Sequence, residues 1–299
     1  ARILDHDLNE ARRIVENPIP HGRFELATRR RIAAELKRER YARAFVLPLS
    51  WKSALIPRLA DIPRRTGFRG EARYRLLNDL RRLDRKALPR LVDRFCALAG
   101  PPGTNVPMPP APVLVPDTAN RDAAIRALRL KGEGPVAILC PGAEYGPAKR
   151  WPPTHFADLA RRLLEGGFRV WIVGSPNDKL AVDAVIAAAG ESSPRIRDLA
   201  GRTDLGTAID LLSAASVVVS NDSGLMHAAA AVGVPVVALF GSSSPAYTPP
   251  MSPQARIARI EIECSPCFKR ECPLGHFRCM RELSPELVYN LTRSTLPAP

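Results

Sequence analysis

The polar turn after the apolar run at 217–220 holds the residues best suited to bind a phosphorylated ligand. Ser223 and Gly224 open a predicted helix, whose free backbone N–H groups and dipole attract a phosphate or a diphosphate. Gly224 has no side chain, so a ligand could approach the backbone closely. Asp222 would repel phosphate and fits better as an acceptor for sugar hydroxyls. The competing interpretation is that Asp222 and Ser223 only cap the helix and that His227, one turn further, is structural.

Two further polar segments follow apolar runs and are expected at the same edge of one sheet. They occupy residues 141–152 and 174–179. In an open parallel sheet, ligands bind beyond the carboxyl ends of the strands. Lys149 and Arg150 in the first segment could neutralise a diphosphate, as a metal ion does in other enzymes. Taken alone, such a basic pair is more often a solvated surface feature.

Four short, nearly continuous apolar runs in the second half of the chain predict strands that are buried on both faces. They lie at 136–140, 170–173, 217–220 and 234–240. Helical patterns separate them, and this alternation predicts a doubly wound, Rossmann-like domain with a parallel sheet. The uncharged run at 223–255 contains glycines and prolines that interrupt it, so we do not expect it to span a membrane.

The boundary between the two halves is marked by proline, which accounts for 30 of the 299 residues and clusters at 101–116. This cluster predicts a linker. The first half is also predicted to be α/β, but residues 44–47 form its one clear strand pattern, so we expect an incomplete Rossmann-like domain. The predicted division is therefore 1–118, with the linker from 101, and 119–299, which ends in a cysteine-rich loop and a helix.

Positive charge is concentrated in the first hundred residues. The chain has a net charge of +14, and residues 1–100 hold 24 Lys and Arg against 12 Asp and Glu, compared with 20 against 18 beyond them. Such an excess attracts an anionic partner, which could be nucleic acid, a membrane face or a phosphorylated substrate, or it merely aids solubility. The chain contains none of the common nucleic-acid-binding motifs, so no nucleic-acid partner is expected. It also lacks the P-loop and dinucleotide-binding fingerprints.

Four of the six cysteines form a C-x2-C-x4-C-x6-C pattern: Cys264, Cys267, Cys272 and Cys279, with His276 between the last two. The N-terminal residues contain no apolar stretch of signal-peptide length, so we expect reduced thiols. Thiolates at short spacing can complete a zinc site, but a zinc ribbon usually pairs two C-x2-C motifs and this segment has one. Both a zinc site and a metal-free thiol-rich loop stay open, and the loop is the preferred interpretation.

Several segments, in their order and spacing, resemble the lipopolysaccharide heptosyltransferases of glycosyltransferase family 9. In the second half they are PGAEYGPAKRWP (141–152), GSPND (174–178), LAGRTDL (199–205), NDSGLMHAAAA (221–231) and LFGSSSPAYTPP (239–250). In the first half they are NPIPHGRFEL (17–26), VLPLSWKSALIP (46–57) and RTGFRGEARYRLLNDLR (65–81). The resemblance covers nearly the whole chain and implies the GT-B fold, in which two Rossmann-like domains face a cleft.

The resemblance implies an inverting glycosyltransferase that moves L-glycero-D-manno-heptose from ADP-heptose to the inner core of lipopolysaccharide, with heptosyl-Kdo-lipid A as acceptor. It implies no metal or other cofactor for catalysis. Lys149 would contact the diphosphate, and Asp222 would hold the heptose hydroxyls. The other donor-binding residues that it implies are Glu144, Tyr145, Asn177, Asp178, Thr203, Ser223, Gly224, Leu225 and His227. Of these, Asn177 or Asp178 and Thr203 would lie near the adenosine.

The basic residues around the RTGF segment predict the acceptor side of the enzyme. We expect Lys52, Ser53, Arg65 and Arg69 to bind the phosphorylated lipid acceptor, with Arg64 and Arg73 in the same basic cluster. An enzyme of this kind is expected in the cytoplasm, in peripheral contact with the anionic inner face of the cytoplasmic membrane.

One element of the family is not found in this sequence. Family members begin with a strand and a glycine-containing loop whose aspartate is taken as the base that deprotonates the acceptor hydroxyl. Asp5 and Asp7 do not match it in context, so we expect the base to be missing from the chain as given, with donor binding but little or no transfer. Two alternatives stay open: another nucleotide-sugar-dependent GT-B enzyme and, less favoured, a basic nucleic-acid-binding protein.

Overall fold

The computed structural model describes residues 15–20, 22–104, 107–190 and 194–296, so Asp5 and Asp7 lie outside the described residues. The described residues separate into two compact units. The first unit comprises those of Glu10–Pro110 and Ala246–Thr248, and the second comprises those of Ala111–Pro245 and Pro249–Pro299. Each unit contains a parallel β-sheet with helices packed against it.

The first unit contains a three-stranded parallel sheet in the order β1-β2-β3. Its strands are β1 (Arg43–Val46), β2 (Arg64–Phe68) and β3 (Asp79–Arg81). Its helices are α1 (Leu26–Arg38), α2 (Trp51–Leu59) and α3 (Leu91–Ala99). The sequence predicted β1 but missed β2 and β3, because both are short and carry charged residues instead of an apolar run.

Charged side chains hold β2 and β3 together where apolar residues are few. Asp79 of β3 accepts hydrogen bonds from Arg81 at 3.0 Å, Thr66 at 2.9 Å and Arg64 at 3.3 Å. These contacts, that of Arg81 above all, lower the pKa of Asp79 to about 2. The carboxylate therefore stays ionised and bridges the two strands at neutral pH.

The second unit contains a six-stranded sheet in the order β6-β5-β4-β7-β8-β9, and every neighbouring pair is parallel. The strands are β4 (Val136–Cys140), β5 (Arg169–Ile172), β6 (Ile196–Asp198), β7 (Val217–Asn221), β8 (Val236–Leu239) and β9 (Ala255–Ala258). The four apolar runs are β4, β5, β7 and β8, which confirms the predicted parallel sheet. The two strands that the sequence missed, β6 and β9, lie at the edges of the sheet and contain charged residues.

Helices cover both faces of this larger sheet. They are α4 (Thr118–Ala127), α5 (Pro153–Glu165), α6 (Lys179–Ala189), α7 (Leu205–Leu212), α8 (Gly224–Val232), α9 (Arg278–Arg281) and α10 (Pro285–Ser294). Ala137 and Leu139 of β4 pack into one core with α5, α6 and α10. Val136 and Ile138 pack into the opposite core with α4, α7 and α8. Strands buried on both faces need apolar residues at every position, which explains the continuous runs.

The uncharged run at 223–255 divides into α8, β8 and the connections around them. In the part of the chain that the structure describes, no helix combines the length and the apolar character needed to cross a bilayer.

Candidate functional site

The strand order of the second unit creates a topological switch point beside its first strand. From β4 the chain continues to β5 and β6 on one side, and then crosses to β7, β8 and β9 on the other side. Helices that connect strands in opposite directions leave a crevice at the carboxyl ends of the two strands at the switch point. Here those strands are β4 and β7, so the segments at 141–150 and 221–227 border the crevice.

An ion pair spans this switch point. Lys149 Nζ lies 2.6 Å from Asp222 Oδ2, and the two side chains are only 18% and 4% exposed. Ser243, which follows β8, donates its hydroxyl hydrogen bond to the same Asp222 oxygen at 2.5 Å. The exits of three strands therefore converge on one carboxylate, and the ammonium of Lys149 is held in a fixed position at the rim of the crevice.

Tyr145 contacts Lys149 from the same loop. The Lys149 ammonium lies 5.2 Å from the centroid of the Tyr145 ring, within the range of a cation–π interaction. The Tyr145 hydroxyl donates to the carbonyl oxygen of Phe268 at 3.0 Å, which ties this loop to the cysteine-rich segment. Glu144, the preceding residue, is exposed.

Asn221 at the end of β7 fixes the loop that carries Lys149, a role that the sequence analysis missed. Its fully buried amide donates to the carbonyl oxygen of Pro141 at 2.7 Å and accepts from the backbone N–H of Trp151 at 3.1 Å. Both ends of the 141–151 loop are thereby bonded to β7. Trp151 is also buried, and its indole N–H donates to the carbonyl oxygen of Leu283 at 2.8 Å.

The N-terminus of α8 is open for an anion. Ser223 occupies the N-cap position, but its side chain accepts no hydrogen bond from the helix, and its hydroxyl lies 3.2 Å from that of Ser220. A methyl group at Gly224 would meet no atom within 4 Å, so its backbone borders open space. Leu225 follows it and is half-buried. The first-turn N–H groups of α8 thus lack a side-chain cap, which argues against the capping interpretation.

His227 lies one turn into α8, and the charges of Asp222 and Lys149 both affect the pKa of its imidazole. Its pKa lies below its ordinary value, because loss of surrounding water disfavours the imidazolium. Asp222 opposes this shift and Lys149 reinforces it. The ring is therefore predominantly neutral at pH 7, and it can accept a hydrogen bond at one nitrogen.

The segments that follow β5 and β6 each contribute a polar side chain. The carboxylate of Asp178 is already hydrogen-bonded, whereas the hydroxyl of Thr203 is not. The Asp178 carboxylate accepts from the backbone N–H and the hydroxyl of Ser175, at 2.9 and 2.7 Å, so it caps its own turn, while the neighbouring Asn177 is exposed. The Thr203 hydroxyl is buried and has no hydrogen-bond partner among the described residues. A buried polar atom without a partner is costly, which marks Thr203 as a candidate ligand contact.

In the first unit, three of the four predicted acceptor-binding residues follow the carboxyl ends of strands. Lys52 and Ser53 lie in the first turn of α2, after β1, and Arg69 follows β2 directly. Lys52 donates to the carbonyl oxygen of Gly22 at 3.4 Å, and Ser53 donates to that of Ser50 at 2.6 Å. Arg69 is exposed and donates to the Tyr74 hydroxyl at 2.9 Å.

Two arginines of the predicted basic cluster point to the backbone of the unit itself. Arg73 is 1% exposed and donates to the carbonyl oxygens of Phe68 and Pro48, so its assignment to a partner-binding surface was wrong. Arg65 lies near the beginning of β2, and its guanidinium donates to two backbone carbonyl groups nearby, one of them that of Leu76 at 2.8 Å. Buried guanidinium groups need such partners, and sequence cannot distinguish them from exposed ones.

Comparison with known proteins shows to which family this chain belongs. A sequence model of glycosyltransferase family 9 (heptosyltransferase) matches residues 29–278, which is most of the chain. The chain belongs to glycosyltransferase family 9. As a member of that family it is a glycosyltransferase with a mixed α/β fold and parallel sheets, so the fold class and the enzyme class predicted from the sequence are confirmed.

Two relatives align with this chain along nearly its full length. It is 42% identical to lipopolysaccharide heptosyltransferase 2 of Escherichia coli K12, over 94% of this chain and 82% of that protein. It is also 42% identical to lipooligosaccharide heptosyltransferase 2 of Haemophilus influenzae, over 93% of this chain and 83% of that protein.

Two solved structures of related glycosyltransferases also superpose on this chain. The ADP-heptose lipopolysaccharide heptosyltransferase II of E. coli superposes with a TM-score of 0.79 at 40% identity, covering 91% of this chain and 81% of that chain. A family 9 glycosyltransferase of Veillonella parvula superposes with a TM-score of 0.76 at 22% identity, covering 92% and 80%, and supports the fold alone.

Proposed function

We propose that this family 9 glycosyltransferase transfers L-glycero-D-manno-heptose from ADP-heptose to the inner core of lipopolysaccharide, with inversion. The observation that carries the proposal is the Lys149–Asp222 ion pair beside the uncapped N-terminus of α8, at the switch point of the second sheet. The relatives described above, two heptosyltransferases 2 and an ADP-heptose heptosyltransferase II, support the choice of sugar and nucleotide.

In this reaction the acceptor hydroxyl oxygen forms a bond to the anomeric carbon while the bond from that carbon to the diphosphate breaks. The electron pair leaves with ADP, and the hydroxyl proton passes to a general base. Negative charge therefore develops on the departing diphosphate. Lys149 and the first N–H groups of α8, at Gly224 and Leu225, would stabilise that charge without a metal ion.

Asp222 would act on the sugar and not on the phosphates. Its carboxylate is anionic and buried, so it would repel a diphosphate placed against it. Its Oδ2 already accepts from Lys149 and Ser243, which leaves Oδ1 to accept hydrogen bonds from heptose hydroxyls. Asp222 thus orients Lys149 and the sugar together, and Tyr145 and His227 would complete this part of the donor site.

The adenosine would lie towards β5 and β6. The unpaired Thr203 hydroxyl and the exposed amide of Asn177 offer hydrogen-bonding groups that a base or a ribose can use. Asp178 supports this side indirectly, because its carboxylate stabilises the turn that carries Asn177. Glu144 stays a candidate donor contact, since it is exposed on the loop that carries Lys149.

The first unit would bind the acceptor, which carries phosphate groups and a lipid. Lys52, Ser53 and Arg69 are the residues that we assign to this role, while Arg65 would contribute positive potential more than direct contacts. The enzyme would work in the cytoplasm at the inner face of the membrane, where anionic lipids attract the basic first unit. This assignment includes no nucleic-acid partner.

A donor screen tests the proposal. Binding of ADP-heptose, UDP-sugars and GDP-sugars would be measured by calorimetry on the same preparation. We expect ADP-heptose to bind at least about tenfold more tightly than the UDP and GDP compounds, which corresponds to about 1.4 kcal/mol. Preference for UDP- or GDP-sugars would overturn the assignment of the donor.

A further inference from the structure

The four clustered cysteines of the second unit line one small cavity. Its volume is about 20 Å³, which is close to the space taken by a single water-sized particle. All six cysteines of the chain are free thiols. The cavity residues with polar or sulfur-bearing side chains are Cys264, Cys267, Cys272, Cys279, His276 and Ser242. None of these groups has a part in the donor site proposed above.

His276 lies between two of the sulfurs and is oriented by the backbone. Its Nε2 is 4.0 Å from Cys264 Sγ, and its Nδ1 is 4.0 Å from Cys272 Sγ. The backbone N–H of Arg278 donates to Nδ1 at 3.0 Å, so the ring proton belongs on Nε2, the nitrogen closer to Cys264. His276 is therefore placed to donate a hydrogen bond to a thiolate, which is a supporting role and not that of a metal ligand.

Two further observations, one contact and one unsatisfied hydroxyl, indicate that the cavity suits a polar occupant that binds sulfur. The backbone N–H of Phe277 donates to Cys272 Sγ at 3.4 Å, so this sulfur is held in place at the wall of the cavity. The Ser242 hydroxyl is buried without a hydrogen-bond partner among the described residues, although its residue is only 2% exposed. An empty apolar cavity would leave that hydroxyl unsatisfied, whereas a polar occupant would not.

We propose that Cys264, Cys267, Cys272 and Cys279 bind one Zn²⁺ as four thiolates, with His276 as a hydrogen-bond donor to the Cys264 sulfur. A four-sulfur, tetrahedral ligand set is typical of structural zinc. Any protons on the four thiols are released to solvent on binding, and no oxidant or reductant is needed. Among the described side chains no ready-made arrangement of three metal ligands exists, so the thiol groups must turn towards the cavity when zinc binds.

The zinc would stabilise the segment that supports the donor-site loop. Hydrogen bonds connect this cysteine-rich segment to the donor-site loop and to the exit of β8. They include Tyr145 Oη to Phe268 O at 3.0 Å, Ala148 N to Arg270 O at 3.1 Å, Ser265 Oγ to Gly241 O at 2.7 Å and Phe268 N to Ser242 O at 2.7 Å. A Cβ at Gly146 would lie 2.4 Å from the Arg270 carbonyl oxygen, which shows how closely the two segments approach. The role is structural, and it adds to the donor chemistry without taking part in it.

Metal analysis of the purified chain, kept reduced throughout, tests the proposal independently of donor binding. We expect one zinc per chain by mass spectrometry, either as purified or after incubation with zinc and removal of the excess. Replacement by Co²⁺ should give the absorption bands of tetrahedral cobalt bound to thiolates. Cys264→Ser and Cys279→Ser should lose stoichiometric metal, and Cys96→Ser, a thiol of the first unit, is the matched control that should keep it.

His276→Ala separates the four-thiolate site from a site that uses the imidazole. We expect this variant to bind one zinc at saturation, with an affinity about 10–100-fold weaker, as for other residues that support metal ligands. Loss of stoichiometric zinc in His276→Ala with retention in Cys279→Ser would overturn the ligand set. Substoichiometric zinc in the reconstituted wild-type chain, with four titratable thiols in the segment, would overturn the site itself; this measurement does not depend on how well any variant folds.

Discussion

The Lys149 ammonium lies 2.6 Å from the Asp222 carboxylate, and we expect donor binding to depend on this residue more than on any other in the proposed site. Replacing it with methionine keeps the length of the side chain and removes the charge. A charge-assisted hydrogen bond contributes about 1.5–3 kcal/mol, so we expect the affinity for ADP to fall by about 10–100-fold. Lys131→Met, an exposed lysine in the turn before β4, is the matched control. Equal ADP affinity in Lys149→Met and wild type, measured by calorimetry, would contradict the assignment.

The same substitution leaves the 4% exposed Asp222 carboxylate without its cation. An unpaired buried charge destabilises a fold, so Lys149→Met should unfold at lower denaturant concentration than wild type. Lys149→Met/Asp222→Asn should recover that stability but not the ADP affinity. This pattern would separate the structural part of the ion pair from its part in binding.

The pKa of His227 depends on the charges of Lys149 and Asp222, and it can be measured without any ligand. Its pKa is lowered by loss of water and by Lys149 and raised by Asp222, so an NMR titration should give a value below 6.5. Lys149→Met should raise that pKa, and Asp222→Asn should lower it further. Since the folded state disfavours the imidazolium, His227 disfavours folding once the pH falls below its ordinary pKa. A value above 6.5 in the wild type would show that the surroundings of His227 differ from those described.

The contacts of two residues in the candidate site, Asn221 and Ser243, could not be predicted from the sequence. Lys149 and Asp222 were predicted because each follows an apolar run, and ligand-binding residues of parallel sheets gather at such positions. The contacts of Asn221 with Pro141 and Trp151, and of Ser243 with Asp222, join residues that are far apart in the chain. Spacing along a sequence carries no signal for such pairs, so only the folded chain shows them.

A substitution at Gly224 can test whether the N-terminus of α8 binds the diphosphate. A methyl group at Gly224 would meet no protein atom, and alanine favours a helix over glycine, so Gly224→Ala should be at least as stable as wild type. The same methyl group would occupy the space that a diphosphate needs beside the backbone N–H groups. We expect weaker ADP binding at unchanged or higher thermal stability, measured by calorimetry and thermal unfolding. Gly233→Ala is unsuitable as a control, because Gly233 has a φ of +88°.

Strands β2 and β3 depend on Asp79, so their stability should depend on pH. The pKa of Asp79 is lowered to about 2 in the folded chain, so its contribution is complete well above pH 4 and is lost as the pH falls towards 2. A shift of this size corresponds to about 2 kcal/mol. Asp79→Asn should therefore be destabilised by up to about that amount at pH 7 and by much less near pH 2, as measured by urea unfolding. A difference that does not change with pH would exclude this origin.

These two charged strands also explain why the first unit was harder to predict than the second. Apolar runs revealed β4, β5, β7 and β8, because central strands of a covered parallel sheet are buried on both faces. β2 contains two arginines and β3 is three residues long, so neither produces a recognisable run. The cysteine cluster had a clear spacing, but which side chains share a cavity depends on the fold of the whole segment.

Charge is distributed unevenly over the whole molecule, with an excess of 12 positive charges in residues 1–100 and of 2 in the rest. This asymmetry should make binding of the phosphorylated acceptor, or of vesicles with anionic lipid, strongly dependent on salt. Near an anionic membrane each basic residue contributes about 1 kcal/mol, and the interaction is screened over about 10 Å at 0.1 M salt. Affinity should therefore fall steeply between low and high ionic strength, whereas ADP binding in the more neutral second unit should change less.

Charge reversal at matched positions localises this effect. Arg69→Glu removes an exposed cation at the carboxyl end of β2, and Arg202→Glu removes an exposed cation from the second unit with the same change in net charge. If the first unit carries the acceptor surface, Arg69→Glu should weaken binding to acceptor-containing vesicles by about tenfold or more at low salt, and Arg202→Glu should have a much smaller effect. Arg73→Glu would be uninformative, since that buried guanidinium holds the strand exits together. Equal losses in Arg69→Glu and Arg202→Glu would mean that net charge alone, and not a surface of the first unit, attracts the acceptor.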